Sequence, residues 1–353
     1  MKDKALPSSV RRSSIQPGAA RRKVVGSSQR DWVKGQPLLP GKPIPFVLQP
    51  AIDGVDLIDW AAANRDWIDE LLFEHRALLF RGFGVKAIAG FERFVFATSN
   101  GELLEYRDRT TPRETRGERI YTSTVHPPDQ RIHLHNEGTY WLKWAAKLYF
   151  YCAKAASKGG ETPIADVRRV YERIDPAIRE RFIQRKMMLV RNFNQGFGLP
   201  WQNVFQTEDR AEVERYCTEN SIEFEWHSGE RLRTRQTRPA VRKHPRSGEP
   251  VWFNHAAFFH YTSLEPQLQG ALLAEYGTEG LPYNTCYGDG SPIEPEVAEE
   301  VRRAYAAEKV LFPWHAGDLM LLDNMTVAHA REPYEGDREI VVSMTDAVDG
   351  AGL

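Results

Sequence analysis

The sequence predicts a mainly β protein with added helices, and two observations carry that prediction. Short apolar runs bounded by turn residues recur along the chain, among them Ala77-Leu78-Leu79-Phe80, Lys147 to Ala153 and Trp314 to Leu322. Each is too short for a typical helix and the right length for a strand. Helical patterns fall between some of these runs without regular alternation, which points to an antiparallel sheet decorated with helices and not to a βαβ series. With 353 residues, 41% of them hydrophobic, the chain can bury a large core. That length suits two ordinary domains or one all-β domain enlarged by insertions. No internal repeat is visible.

Residues 1 to 30 carry Lys2, Lys4, Arg11, Arg12, Arg21, Arg22, Lys23 and Arg30 against the single acid Asp3. With almost no large apolar side chains, such a segment cannot offset its ordering entropy, so a disordered basic tail is expected, extending to about residue 37. Its Arg- and Ser-rich composition also resembles a transit peptide, but Pro7, Pro17 and Gly18 interrupt the amphipathic helix that would need. From Leu57 to about Arg76 the residues Leu57, Trp60, Ala61, Ile68, Leu71 and Leu72 recur at helical spacing. The Ala77–Phe80 strand then ends at Gly82-Phe83-Gly84, and a second helix is expected from about Ala87 to Thr98.

Past the polar stretch 107–119, Arg119 to Thr124 reads as a strand, Pro127-Pro128-Asp129 as a turn, and the segment through His135 as another strand. Asp166 is a plausible N-cap for a helix bearing Val167, Val170, Tyr171 and Ile174, and Asp175-Pro176 opens the next. Residues 191–225 are irregular, with a short helix near Ala211 to Thr218. Arg231, Arg233 and Arg235 alternate with Leu232 and Thr234, His244 to Gly248 reads as a turn, and Val251-Trp252-Phe253 as the returning strand of a hairpin with one basic face. A helix from about Pro295 to Glu308 buries Val297, Val301 and Tyr305, and Arg338 to Met344 closes the sheet.

Net charge is -1, a balance that argues against a nucleic-acid binder. Three cysteines, Cys152, Cys217 and Cys286, form no close pair and read as reduced thiols of a cytoplasmic protein. No apolar run is long enough to span a bilayer or to form a signal-peptide core, so no membrane partner is expected.

Chemistry concentrates in His133-Leu134-His135-Asn136-Glu137. In a strand, residues two apart share a face, so His135 and Glu137 would present an imidazole and a carboxylate side by side. A second histidine would complete a 2-His-1-carboxylate triad with open positions for O2 and a cosubstrate, although any half-buried strand can carry a His and a Glu two apart without metal. The leading candidate is His329, in Asp323-Asn324-Met325-Thr326-Val327-Ala328-His329-Ala330-Arg331.

With His329 in place, the sequence resembles the Fe(II)/2-oxoglutarate-dependent dioxygenases of the taurine dioxygenase (TauD/TfdA) type, especially the clavaminate synthase-like and SyrP-like branch. The resemblance lies in "LHNEGTYW", "GGETPIAD" and "GDLMLLDNMTVAHAREPYEGDR", in order, within about residues 38 to 347. It implies one domain over 38–353, with helical and hairpin insertions at about 166–260, on a double-stranded β-helix (jelly roll) core. Its ferrous ion would be held by His135, Glu137 and His329. Arg338 matches the family's 2-oxoglutarate arginine, whose rigid fork suits a carboxylate, and Thr162 matches the threonine that assists it. Arg331 is the alternative arginine and His133 the rival ligand. His126, His227, His244, His255, His260 and His315 read as surface or core polar residues.

The implied reaction consumes 2-oxoglutarate and O2, releases succinate and CO2, and hydroxylates an unactivated C–H. Desaturation, epoxidation and cyclisation share the same cofactors, and a zinc hydrolase could use the same ligand set, though it has no need of a dicarboxylate pocket. The branch implies an amino acid or aminoacyl substrate. The run Arg231, Arg233, Arg235, Arg238, Arg242, Lys243 and Arg246, without an acid among them, would suit an acidic carrier protein presenting it, or else is a solvated hairpin paired with acids elsewhere. Candidate substrate contacts are Asn192, Asn194, Trp201 and Trp252-Phe253-Asn254.

Overall fold

The protein is described by a computed structural model, in which the described residues are 29–100, 115–117, 120–122, 126–194, 196 and 198–350. Residues 1–28 and most of the polar stretch 107–119 lie outside them. The chain is a mixture of helices and strands more than a mainly β fold, with nine α-helices and nineteen strands among the described residues. The end of the expected tail is structured. Val33–Pro37 is a strand paired antiparallel with Phe46–Pro50, and its Val33 is buried.

An eight-stranded sheet forms the base, in the order Val33–Pro37, Phe46–Pro50, Ala77–Phe80, Leu319–Asp323, Lys143–Lys154, Glu339–Asp349, Ile120–Thr122 and Thr115–Gly117. Neighbours are antiparallel except for the parallel pair Phe46–Pro50 and Ala77–Phe80. The central strands read as unbroken apolar runs because both faces are covered. Tyr149, Tyr151, Leu319 and Val341 pack with Trp60, Ile68, Phe91 and Phe94 of the N-terminal helices. The intervening Leu148, Phe150, Met320 and Val342 face the other way, into the main core.

Those helices follow their local signals. The Asp56 carboxylate accepts from Ile58 and Asp59 N–H at 2.9 and 3.0 Å and caps Leu57–Ala63. The single helix expected over 57–76 is two, Leu57–Ala63 and Arg65–His75, broken at Asn64. The Asn64 side-chain amide donates to Trp60 O at 2.8 Å, a local bond that competes with continuing the helix.

A three-stranded sheet, ordered Ile132–His135, Val327–Arg331 and Ile164–Asp166, lies over the main-core face of the base. Phe150 of the base packs its ring 5.1 Å from that of His329. Neither sheet closes into a barrel among the described residues. Asp166 and Asp175 cap Val167–Arg173 and Pro176–Arg185 as their sequences indicate.

A four-stranded sheet, ordered Glu223–His227, Arg231–Arg238, Met187–Phe193 and Tyr283–Tyr287, corrects the expected hairpin. The arginine strand pairs with Met187–Phe193 and Glu223–His227, while Val241–Lys243 pairs with Pro250–Trp252 around the His244–Gly248 turn. Its Leu232, Thr234 and Gln236 are all buried, which a two-stranded hairpin could not provide. No helix is long and apolar enough to cross a membrane among the described residues.

Candidate metal centre

The site is assembled by strand register. His329 sits directly opposite His135 across the Val327–Arg331 and Ile132–His135 pair, which brings the imidazole centroids to 4.4 Å. Glu137 reaches the same place by another route than the one expected. The strand ends at His135, and Glu137 begins a turn. What replaces the strand geometry is the side chain of Asn324, fully buried in the turn that leads to His329. Its carbonyl accepts from Glu137 N–H at 2.9 Å, and its amide donates to Glu137 O and Ala145 O, both at 2.9 Å. Asn136 returns the contact by donating to Asn324 O at 2.7 Å. One asparagine thus grips both polar groups of the Glu137 residue, as a neighbouring strand would.

One ligand atom from each of His135, Glu137 and His329 lies within 4.8 Å of the others. Glu137 and His329 are buried and His135 half-buried. The His135 Nδ1 lies 2.8 Å from the His133 carbonyl, so Nδ1–H donates there and the lone pair stays on Nε2, as metal binding requires. Two imidazoles and one carboxylate are the donor set that suits Fe(II) with further positions open, so the residues fit such an ion. His133 stays outside the group and contributes its carbonyl.

His255, which carried no signal of its own in the sequence, packs its ring 5.8 Å from that of His135, with Nδ1 held by Thr139 Oγ1 at 2.7 Å. Burial, then His135, push its pKa well below the usual imidazole value, so a neutral ring backs the triad.

Thr162 and Arg338 come together beside the triad, in a pocket also lined by His135, His329, Phe150 and Val342. The Arg338 Nε–H donates to Gly160 O at 2.8 Å and its Nη2 to Thr162 Oγ1 at 3.4 Å. Trp314 Nε1 donates to the same hydroxyl at 2.9 Å, so the hydroxyl's own hydrogen is left to point at a ligand. Burial, reinforced by the neighbouring Arg331, lowers the Arg338 pKa to about 10, which still leaves it charged at neutral pH.

The glycines before Thr162 are dictated by this packing. A Cβ on Gly159 (φ +68) would lie 2.2 Å from the Pro333 carbonyl oxygen, and one on Gly160 (φ +73) 3.0 Å from Arg338 Cδ. Arg331, the alternative arginine, is engaged elsewhere. It donates to the carbonyls of His126, Pro127 and Gln130 and fixes the loop before His133.

The basic run does not form a one-signed face. Arg233 pairs with Glu279, Arg235 with Glu225 and Arg246 with Glu70, while Arg238 and Arg242 are buried. Arg238 donates to Tyr140 O and Asn220 O, and Arg242 stacks over Trp144. Of the other candidate contacts, Asn192 donates to Leu281 O and Asn194 accepts from Trp201 N–H, which are structural duties, while Asn254 donates to Ala240 O and, with Trp252, also lines a cavity beside the triad. Trp201 sits in a separate apolar cluster with Val204 and Val213, and Trp252 and Phe253 lie in the main core.

Comparison with known proteins shows the family. The family described as "Taurine catabolism dioxygenase TauD, TfdA family" matches residues 36–345. The dapdiamide synthesis protein DdaC of Enterobacter agglomerans is 43% identical over 281 residues, 80% of this chain and 85% of its own length. A clavaminate synthase-like protein of Arabidopsis thaliana is 28% identical over 321 residues, 86% of this chain and 94% of its own. Among solved structures, the PvcB protein from Pseudomonas aeruginosa superposes with a TM-score of 0.56 at 16% identity, covering 94% of this chain and 98% of that one, and so shares the fold. The chain belongs to the TauD, TfdA family and is a 2-oxoglutarate-dependent iron dioxygenase.

Proposed function

We propose that His135, Glu137 and His329 hold the Fe(II), that Arg338 and Thr162 bind the distal carboxylate of 2-oxoglutarate, and that the enzyme hydroxylates a C–H bond of an amino-acid-like small molecule in secondary metabolism. The observation that carries this is the single pocket shared by the triad's histidines, the half-buried Arg338 and the buried Thr162. The two facing sheets are read as the halves of a double-stranded β-helix, a reading supported by the family resemblance.

When bound, iron together with 2-oxoglutarate and O2 supplies the oxidising chemistry. The chain supplies placement. Arg338, held by Gly160 O and Thr162 Oγ1, brings a guanidinium to the pocket, and the Thr162 hydroxyl, already accepting from Trp314, is set to donate. Phe150 and Val342 line the pocket between these groups and the histidines and keep water from it. Asn324 fixes the Glu137 backbone, and the His133 carbonyl fixes the His135 tautomer.

The amino-acid-like substrate is supported by the likeness to a dapdiamide synthesis protein. A free small molecule is favoured over a carrier-bound one, because the arginines that would steer an acidic carrier are paired or buried. The test is an anaerobic titration with Fe(II) and 2-oxoglutarate, followed by a screen of amino acids and N-acyl amino acids scored by succinate and product mass. A visible charge-transfer band in the parent and its loss in His329→Ala are expected. An unchanged band in that variant would remove His329 from the site.

A further inference from the structure

A second cavity, of about 280 Å³, adjoins the metal centre and plays no part in the reading above. It shares Ile132 and Ala330 with the pocket of the triad, and its Phe258 ring lies tilted with its centroid 4.7 Å from that of His135. One wall is a single face of the helix Pro295–Glu308, where Glu299, Arg302, Arg303 and Ala306 follow at helical spacing. Four cations line it, Arg131, Arg302, Arg303 and Lys309, against two carboxylates, Glu299 and Glu332.

The acids are already used. Glu332 is held by Arg131 at 2.8 Å and by Lys309 at 2.7 Å, and Glu299 by Arg302 at 2.9 Å. Arg303 is exposed and has no ion pair among the described residues. Arg302 spends Nε on Glu299 and Nη2 on Glu299 and Thr262, while its Nη1 is shielded from solvent without a hydrogen-bond partner. The four cations exceed the two carboxylates by two charges, and an anion entering the cavity would meet that excess. The rest of the wall adds the polar His133 and Asn254 to apolar and aromatic side chains, among them Leu134, Trp252, Phe258 and Tyr305.

We propose that this cavity receives a free carboxylate of the substrate at Arg302 and Arg303, with the substrate's apolar body lying along Phe258 toward His135. The enzyme would then select a small anionic, amino-acid-like molecule. This rests on the oxygenase reading of the triad.

The probes are N-acetyl-L-leucine, N-acetyl-L-aspartate and N-succinyl-L-alanine, each beside its amide-capped twin, with 4′-phosphopantetheine as the phosphate arm. Binding is followed by calorimetry to the chain loaded with Mn(II) and 2-oxoglutarate, which prevents turnover. At least one carboxylate should bind, its capped twin should bind about tenfold more weakly, and Arg303→Gln, an exposed change that leaves the fold alone, should lower its affinity several-fold. The pair Arg302→Gln with Arg303→Gln should lower it further, while 2-oxoglutarate affinity stays within twofold.

Equal binding of the capped and uncapped forms, no binding by any carboxylate, or indifference to Arg303→Gln would overturn the inference. Preference for 4′-phosphopantetheine over every carboxylate would overturn it in favour of a carrier-bound substrate. Failure of 2-oxoglutarate to bind the loaded parent would instead count against the triad reading itself.

Discussion

Replacing Asn324 tests whether the site is built by the clamp described above. Asn324→Ala deletes three side-chain hydrogen bonds and leaves Glu137 N–H, Glu137 O and Ala145 O buried without those partners. An orphaned buried group costs about 1 to 3 kcal/mol, so a loss of roughly 3 to 5 kcal/mol is expected once partial relaxation is allowed. Against a total stability of about 5 to 15 kcal/mol, the variant should still fold. At about 2 to 4 °C per kcal/mol for a large domain, its Tm should fall by roughly 6 to 20 °C. Metal affinity should fall too, by about 10- to 100-fold, because the backbone that aims the Glu137 carboxylate is released. Asn324→Asp keeps the acceptor for Glu137 N–H and sets a carboxylate against two carbonyls, so it should be no better. Thermal melts and Mn(II) titrations of the purified variants decide the matter. A Tm within 2 °C of the parent together with unchanged metal affinity would refute the clamp.

Other expectations follow from the same geometry. His135→Ala and Glu137→Ala should each abolish the visible band of the iron and 2-oxoglutarate complex, and retention of the band in either would exclude that residue. On the proposed assignment, Arg338→Ala removes the cation that holds the cosubstrate carboxylate, a loss of about 2 to 5 kcal/mol; 2-oxoglutarate affinity should drop about thirty-fold to several thousand-fold. Affinity within threefold of the parent would redirect attention to Arg331. Gly159→Ala, with its Cβ 2.2 Å from Pro333 O, should lower Tm and weaken 2-oxoglutarate binding, which a neutral melt and titration would contradict.

Stability should also depend on His260, whose Nε2–H donates to Ile293 O while Nδ1 accepts from the Thr262 hydroxyl. Burial lowers its pKa to about 4, below its ordinary value of 6.5. The unfolded chain therefore binds the proton first, and this contribution is intact above about pH 6.5 and lost as pH falls toward about 4. Urea midpoints measured across that window should fall with pH in the parent and fall less steeply in His260→Gln, where His255 still contributes; an equal slope in both would refute the assignment.

The sequence by itself determined the features that depend on residue type and near neighbours. The caps at Asp56, Asp166 and Asp175 lie where local hydrogen bonding puts them, because each carboxylate reaches N–H groups only two or three residues ahead. The five residues proposed for the site, His135, Glu137, Thr162, His329 and Arg338, were legible as a linear order of motifs. What only the tertiary structure decided are pairings over long separations. That His135 and His329 face one another is a matter of register between strands nearly two hundred residues apart, and nothing in either segment encodes the other's position. The helix Pro266–Tyr276 gave no sequence signal because it buries little beyond Leu272 and so carries no apolar stripe.

The arginine strand looked like half of an exposed hairpin because its partners, Met187–Phe193 and Glu223–His227, lie partly within the stretch 191–225 that reads as irregular on its own. Glu137 looked like a strand residue because alternation alone cannot show where a strand ends. The strand stops at His135, and the residue that then holds Glu137 in place, Asn324, belongs to a turn that only folding brings alongside.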